Sequence, residues 1–258
     1  RMLSGRHVQA LALSASNYSA SMHVTFYQAA APVAPWVRAQ RVAVPAELSV
    51  AHLLASSAIP FLFPAAELDI DGRREWFGDG SMRQTAPLSP AIHLGAQRLL
   101  VIGAGRVHEP PGRRVDNTGY PSLAQIAGHA LSSIFLDALT ADVERLQRIN
   151  RTLTLLSDDA RVATPLHPID ALVITPSQRL DEMAARHVDE LPPTVRGLLR
   201  AVGVSGSGRA AQGAALASYL LFESGYTREL MALGEQDVQA RRDEVLGFFG
   251  WPPAPAAA

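Results

Sequence analysis

Asp79 has the surroundings in this chain that most favour chemistry, because it stands between Gly78 and Gly80 at the end of an apolar run. Glycine neighbours permit unusual backbone torsions and let a second loop approach closely, so a carboxylate can be aimed at a partner. An aspartate next to a serine hydroxyl can take its proton without a histidine. A free aspartate has a pKa of about 3.9, so this base needs an apolar wall, which Trp76 and Phe77 are suited to supply.

The alternative for Asp79 is a plain turn, because Asp-Gly is among the commonest turn dipeptides. Two segments around it favour the catalytic interpretation. Residues 56–60 have the pattern Ser-x-x-x-Pro and precede the pair, whereas residues 87–90 read Pro-Leu-Ser-Pro and follow it. Taken together with these flanking segments, the Asp-Gly pair is better interpreted as part of a site than as an isolated turn.

The series of Ser-x-x-x-Pro, Asp-Gly and Pro-Leu-Ser-Pro, within residues 8 to about 103, resembles the C-terminal half of the patatin-like phospholipase family. The resemblance implies a three-layer α/β/α sheet domain. It implies that Asp79 is the second catalytic residue, with Gly78 and Gly80 as backbone support. The implied activity is hydrolysis of lipid acyl esters by a Ser-Asp dyad, of the phospholipase A or lysophospholipase type, through an acyl-serine intermediate.

The nucleophile of that family lies in a Gly-x-Ser-x-Gly elbow before the Asp-Gly pair, and no serine in this chain has glycine at both −2 and +2. We therefore expect the chain to be the C-terminal portion of a longer polypeptide whose upstream half supplies the serine. Half of a parallel sheet would expose strand edges, so we expect this portion alone to be inactive and marginally stable. Residues 203–207 nearly match an elbow, but they follow Asp79 and no apolar strand precedes them.

The composition excludes several classes of chemistry. All 23 basic residues are arginine, which excludes Schiff-base, P-loop and kinase lysines. The absence of cysteine excludes thiol nucleophiles, disulfides and thiolate metal sites, and it leaves cytosol and periplasm equally open. The eight histidines form no His-x-His or His-x-x-x-His pair, so we predict neither a metal nor a cofactor. A net charge of −1 argues against nucleic acid as a partner.

The hydrophobic pattern predicts strands and helices in alternation, which is typical of an α/β layer fold. The predicted strands are 8–13, 23–27, 98–102 and 168–176, and the predicted helical segments are 47–57 and 123 to about 156. We expect the C-terminal half of a catalytic domain over 1–106, a mostly helical region over 107–250 and a disordered tail over 251–258.

Several features allow a second interpretation. Residues 99–105 resemble the start of a dinucleotide fingerprint, but His108 holds the third glycine position and no helix follows, so we interpret them as a strand end. Residues 61–63, Phe-Leu-Phe, fit either an acyl pocket or core packing. The arginines at 145, 148 and 151 fit either a phosphate headgroup site or a solvated helix face.

The apolar run over residues 53–66 is shorter than the roughly 20 residues of a membrane helix, so any membrane contact is expected to be peripheral. We expect the partners to be a lipid or other acyl-ester substrate and the upstream half of the same polypeptide. Two other functions stay open at this point. One is a non-catalytic interaction module with the patatin-like shape, and the other is hydrolysis of non-lipid esters such as storage polyester.

Overall fold

The computed structural model describes residues 7–60, 62–105, 123–201, 204 and 214–252. The chain is a mixed α/β protein, with about 45% of the described residues in helices. The strands are β1 (Ala10–Asn17), β2 (Met22–Ala29), β3 (Val37–Arg38), β4 (Arg41–Pro45), β5 (Ala66–Ile70), β6 (Arg73–Asp79), β7 (Arg98–Ile102) and β8 (Asp170–Ile174).

The helices are α1 (Val50–Ser56), α2 (Ser89–His93), α3 (Leu123–Thr154), α4 (Asp158–Ala163), α5 (Leu180–His187), α6 (Pro193–Ala201), α7 (Ala214–Ser218), α8 (Ser224–Ala240) and α9 (Arg242–Phe249), with 3-10 turns at Gly80–Arg83 and Val188–Glu190. Contacts divide the chain into two compact units. The first comprises Arg1–Gln97 with Ala141–Ile169, and the second comprises Arg98–Thr140 with Asp170–Ala258. The predicted regions, divided at residue 106, are continuous along the chain, whereas each unit combines two separate stretches.

The first unit is built on a six-stranded sheet with the strand order β3-β4-β2-β1-β6-β5. Its strand pairs are antiparallel except for β2 with β4. The expectation of half of a parallel sheet is therefore wrong for this sheet. The reason is local, because short turns connect β1 to β2 and β5 to β6, and a short turn can join only antiparallel neighbours.

One face of this sheet carries the apolar core of the first unit. Ala15 of β1 pairs directly with Val24 of β2 and with Asp79 of β6, so these three side chains share the face. α1 packs on the same face and contributes Ala55. The buried cluster there consists of Ala15, Val24, Phe26, Ala55, Leu68 and Phe77. Asp79 thus lies at the edge of an apolar layer.

The second face of the sheet is polar where it lies next to Asp79. Ser16 pairs with His23 on one side and with Gly78 on the other, which places these residues in one row. The turn Gly80–Arg83 lies over this face, because a Cβ on Gly80 would be 2.9 Å from the Cβ of Ser14. The chain therefore passes from the apolar face to the polar face between Asp79 and Gly80.

Most of the strands and helices predicted from the sequence are confirmed, although their ends shift by a few residues. β1, β2, β7, β8, α1 and α3 correspond to predicted segments. The hairpin of β5 and β6 was not predicted. Its two-residue loop is Asp71 and Gly72, with φ of 53° and 78°, which is the conformation that Asp-Gly favours in tight hairpins.

The second unit contains β7 and β8, which form a two-stranded parallel sheet, and the later helices. A charged cluster joins the end of α5 to α8. The ring of His187 contacts Glu190 through Nδ1 and Glu229 through Nε2, both at 2.6 Å, and Arg186 also pairs with Glu229. Burial lowers the pKa of His187, but the hydrogen bonds to the two glutamates outweigh it and the net pKa is raised.

We predict that His187 makes stability depend on pH. Because its pKa is raised in the folded chain, the charged ring stabilises the fold below the ordinary pKa of about 6.5, and this contribution is lost as pH rises through the raised value. The thermal midpoint should fall over that interval in the wild type, and His187→Gln should lack this component. Melting curves from about pH 5.5 to about pH 8 test this. A pH dependence that is identical in both proteins would contradict it.

Candidate active site

Asp79 is the last residue of β6, and its side chain is only 7% exposed. It caps the turn Gly80–Arg83, since its Oδ1 accepts a hydrogen bond of 2.8 Å from the Ser81 amide. Its own amide donates to the Ala58 carbonyl at 2.9 Å. The Ser-x-x-x-Pro segment, which includes Ala58, therefore holds the backbone of Asp79 directly.

Burial makes the Asp79 carboxylate more basic than a free aspartate. Desolvation raises its pKa, and the hydrogen bonds from the Ser81 amide and hydroxyl lower it in part. No cation lies within ion-pairing distance of Asp79 among the described residues. Asp79 does cap a turn, as the alternative interpretation requires, but an ordinary surface turn would leave its carboxylate in water.

The apolar wall beside Asp79 is provided by Phe77 and not by Trp76. Phe77 is fully buried on the face of Asp79 and packs edge-to-face on Phe26 at 5.5 Å between ring centroids. Trp76 is 50% exposed. The prediction for Trp76 is wrong because side chains alternate along a strand, which directs residue 76 to the opposite face from residues 77 and 79.

The two glycines around Asp79 allow close approach of neighbouring groups and do not serve to permit unusual torsions. The glycines with positive φ in the described residues are Gly72, Gly95 and Gly250, so Gly78 and Gly80 do not need that freedom. A Cβ on Gly80 would lie 2.3 Å from the backbone oxygen of Ser14, and a Cβ on Gly78 would lie 2.1 Å from the Tyr18 hydroxyl oxygen. Of the two reasons for glycine at these positions, unusual torsions and close approach, close approach is the one that applies.

The Pro-Leu-Ser-Pro segment is held by a buried carboxylate of α3. Asp142 Oδ2 accepts a hydrogen bond of 3.0 Å from the Leu88 amide, and its Oδ1 pairs with Arg145 at 3.1 Å. Arg145 is one of the three arginines that were candidates for a headgroup site. Its pairing with Asp142 gives it a structural role at the start of α2.

Tyr18, Ser14 and His23 border the site and were not predicted from the sequence. The Tyr18 hydroxyl donates to the Met82 sulfur at 3.5 Å, and burial followed by the charge of Asp79 raises the pKa of Tyr18. Ser14 contacts Gly80, and its hydroxyl accepts from Gln84 at 3.3 Å. For Ser14 alone the sequence offers a signal, namely the Ser and Asn residues within the otherwise apolar strand β1.

Some sequence predictions concern residues outside the described part of the chain, namely Phe61, His108, the loop over 106–121, the tail after residue 252 and, except for Val204, the cluster over 203–208. Phe63 is described and is 43% exposed. No group of three or more acidic or histidine side chains within the described residues is arranged to hold a metal ion. Nor does any helix in those residues have the length and apolarity of a membrane span.

We predict that alanine at the two glycines has unequal effects. Gly80→Ala should destabilise the chain by about 2–3 kcal/mol, because its Cβ would press on the Ser14 backbone. Gly78→Ala should stay within about 1 kcal/mol of wild type, because the half-exposed Tyr18 side chain can rotate away. Urea unfolding of both variants measures the difference. Equal costs would show that close approach at Gly80 does not constrain the site.

Comparison of the chain with protein-family models, with curated proteins and with solved structures finds no match. The resemblance around Asp79 therefore depends on the residues quoted for it.

Proposed function

We propose that this chain supplies the general base of a patatin-like serine ester hydrolase that acts on lipid acyl esters. Asp79 is the base, and Gly78 and Gly80 are its backbone supports, since they let the Tyr18 side chain and the Ser14 backbone approach closely. The observation that carries the proposal is the burial of a carboxylate at the end of β6, with no cation beside it among the described residues, and this burial raises its pKa. A general base works best when its pKa approaches the working pH, so this shift favours proton abstraction.

The reaction requires a serine from a segment outside this sequence. Asp79 takes the hydroxyl proton as the serine oxygen attacks the ester carbonyl. The tetrahedral intermediate then collapses, and protonated Asp79 returns the proton to the departing alcohol, which leaves an acyl-serine. Water repeats the sequence, with Asp79 first as base and then as acid, and releases the fatty acid and the free serine.

The surroundings of Asp79 suit this cycle in two ways. The Ser81 amide fixes Oδ1 and with it the orientation of the carboxylate, so the base need not be reoriented during the reaction. The apolar layer around Phe77 keeps water from one side of the carboxylate. Because no cation lies beside Asp79 in the part of the chain that the structure describes, protonation during the cycle breaks no ion pair there.

We predict that Asp79→Asn reduces ester hydrolysis by the complete protein by about 10²–10⁴-fold, because an amide keeps the shape but cannot accept the proton. The measurement is turnover of a lysophospholipid and of a short chromogenic ester. Asp69→Asn is the matched control, since Asp69 also caps a turn, through the Gly72 amide at 2.8 Å, but is exposed. Full activity in Asp79→Asn would show that another residue is the general base.

The same variant should fold at least as well as the wild type. The pKa of Asp79 is raised in the folded chain, so its ionised form costs stability at neutral pH, and asparagine does not carry this cost. The difference in unfolding free energy should shrink as pH falls through the raised pKa toward 3.8, where Asp79 becomes uncharged. Loss of activity together with loss of stability would instead indicate a structural role for Asp79.

A further inference from the structure

The two strands of the second unit, β7 and β8, have the sequences of strands from the interior of a larger sheet. Parallel strands usually lie in sheets that are covered on both faces, and they read as continuous apolar runs. β7 and β8 pair in parallel, and they read Leu-Leu-Val-Ile over 99–102 and Ala-Leu-Val-Ile over 171–174. Their sequences therefore predict more neighbours than one strand each.

β7 has a free edge on the side away from β8. The Gly103 amide donates to the Ile174 carbonyl at 2.9 Å, so the backbone groups of residue 103 face β8. Because these groups alternate in direction along a strand, those of Leu100 and Ile102 point away from β8. Among the residues that the structure describes, no other strand pairs with β7. The amides and carbonyls of Leu100 and Ile102 thus form a row that can bind a strand.

The exposure of the side chains rises toward the same edge. Leu100 lies opposite Leu172, and Ile102 lies opposite Ile174, so these four side chains share one face of the sheet. Leu172 is 3% exposed and Ile174 is partly buried, whereas Leu100 is 42% exposed and Ile102 is 77% exposed. The cover of this face therefore extends over β8 and ends at β7.

The free edge of β7 also lacks the usual protection. Folded proteins guard an edge strand with charged residues, prolines or bulges, because a bare edge pairs with other chains. Residues 99–102 contain neither a charge nor a proline, and Arg98 is directed to Asp170 of β8 at 3.4 Å. At β8, by contrast, the Arg241 guanidinium donates to the Val173 carbonyl. An unguarded apolar edge fits a strand that is paired permanently.

We propose that the free edge of β7 binds a parallel strand from the upstream half of the polypeptide, and that a helix after this strand covers Leu100 and Ile102. The identity of this partner rests on the proposed function, which requires a segment with a serine at a strand-to-helix turn. A strand followed by a helix provides both missing parts, backbone groups for the edge and apolar side chains for the face. A second copy of the chain would pair at the edge but leave the face uncovered.

The first test is amide hydrogen exchange in the complete protein and in this chain alone. In the complete protein, the Leu100 and Ile102 amides should exchange within about tenfold of the Val101 amide, which faces β8. In this chain alone they should exchange at least about 10²-fold faster than the Val101 amide. Fast exchange of both amides in the complete protein would overturn the proposal. Protection already present in this chain alone would overturn it too, and dependence of that protection on concentration would identify a second copy as the partner.

The second test is a charge at the face that the helix should cover. Ile102→Lys should lower the thermal midpoint of the complete protein by about 5–10 °C, because the charge would be buried. Met231→Lys is the matched control, since Met231 lies in the same unit and is 75% exposed, and it should leave the midpoint nearly unchanged. Equal shifts in the two variants would show that no helix covers Ile102.

Neither test depends on turnover, so the two proposals fail separately. Hydrolysis that survives Asp79→Asn would overturn the proposed function, whereas fast exchange of the Leu100 and Ile102 amides in an active complete protein would overturn the strand pairing alone. If this chain alone does not fold, which loss of protection at Val101 would show, the exchange rates in the complete protein decide.

Discussion

The structure around the site depends on keeping one carboxylate at the edge of an apolar layer, with no cation beside it among the residues that the structure describes. Asp79 is buried beside Phe77 and Ala15, and its oxygens are served by the amide and hydroxyl of Ser81. Asp142, another buried carboxylate of the same unit, has Arg145 beside it. An ion pair would stabilise the charge of Asp79 and make it a weaker base. The absence of a cation beside Asp79 among the described residues is therefore consistent with a carboxylate that must gain and lose a proton.

The sheet makes this burial feasible because its two faces differ. The apolar face covers the side chain of Asp79, and the polar face receives the turn that begins at Gly80. The transition occurs within one residue, which requires the Gly80 backbone to approach Ser14 more closely than any side chain would permit. His23 extends the same polar face beneath the turn. The position of the carboxylate thus depends on contacts on both sides of a single sheet.

Several parts of this arrangement could be predicted from the sequence. The apolar periods of β1, β2, β7 and β8 are local signals, and the Asp-Gly pair with its proline-containing flanks indicated the position of the site. One flank contacts the candidate site directly, because the Ala58 carbonyl accepts a hydrogen bond from the Asp79 amide, whereas Leu88 of the other flank donates to Asp142. The prediction that the larger sheet is parallel was wrong. The Asp71-Gly72 dipeptide is a hairpin signal in the sequence, but it was not used to predict the β5–β6 hairpin.

The proximity of Tyr18 and His23 to Asp79 could not be predicted, because no local sequence pattern indicates it. They reach the site only through the register of β1 with β2 and β6, which is set by long-range strand pairing. The sequence alone also could not show whether Trp76 or Phe77 lies beside Asp79. Both are aromatic and adjacent to Asp79 in sequence, and only the strand geometry determines which of them lines the carboxylate.

The most direct measurement of the central claim is the distance between the nucleophile and its base in a crystal structure of the complete protein. The proposed dyad predicts a serine at a strand-to-helix turn with its Oγ within about 3.5 Å of an Asp79 carboxylate oxygen, and with no histidine between them. An Asp79 carboxylate that contacts only the Ser81 amide and hydroxyl in the complete protein, with the reactive serine elsewhere, would contradict the account and leave Asp79 as a buried turn cap.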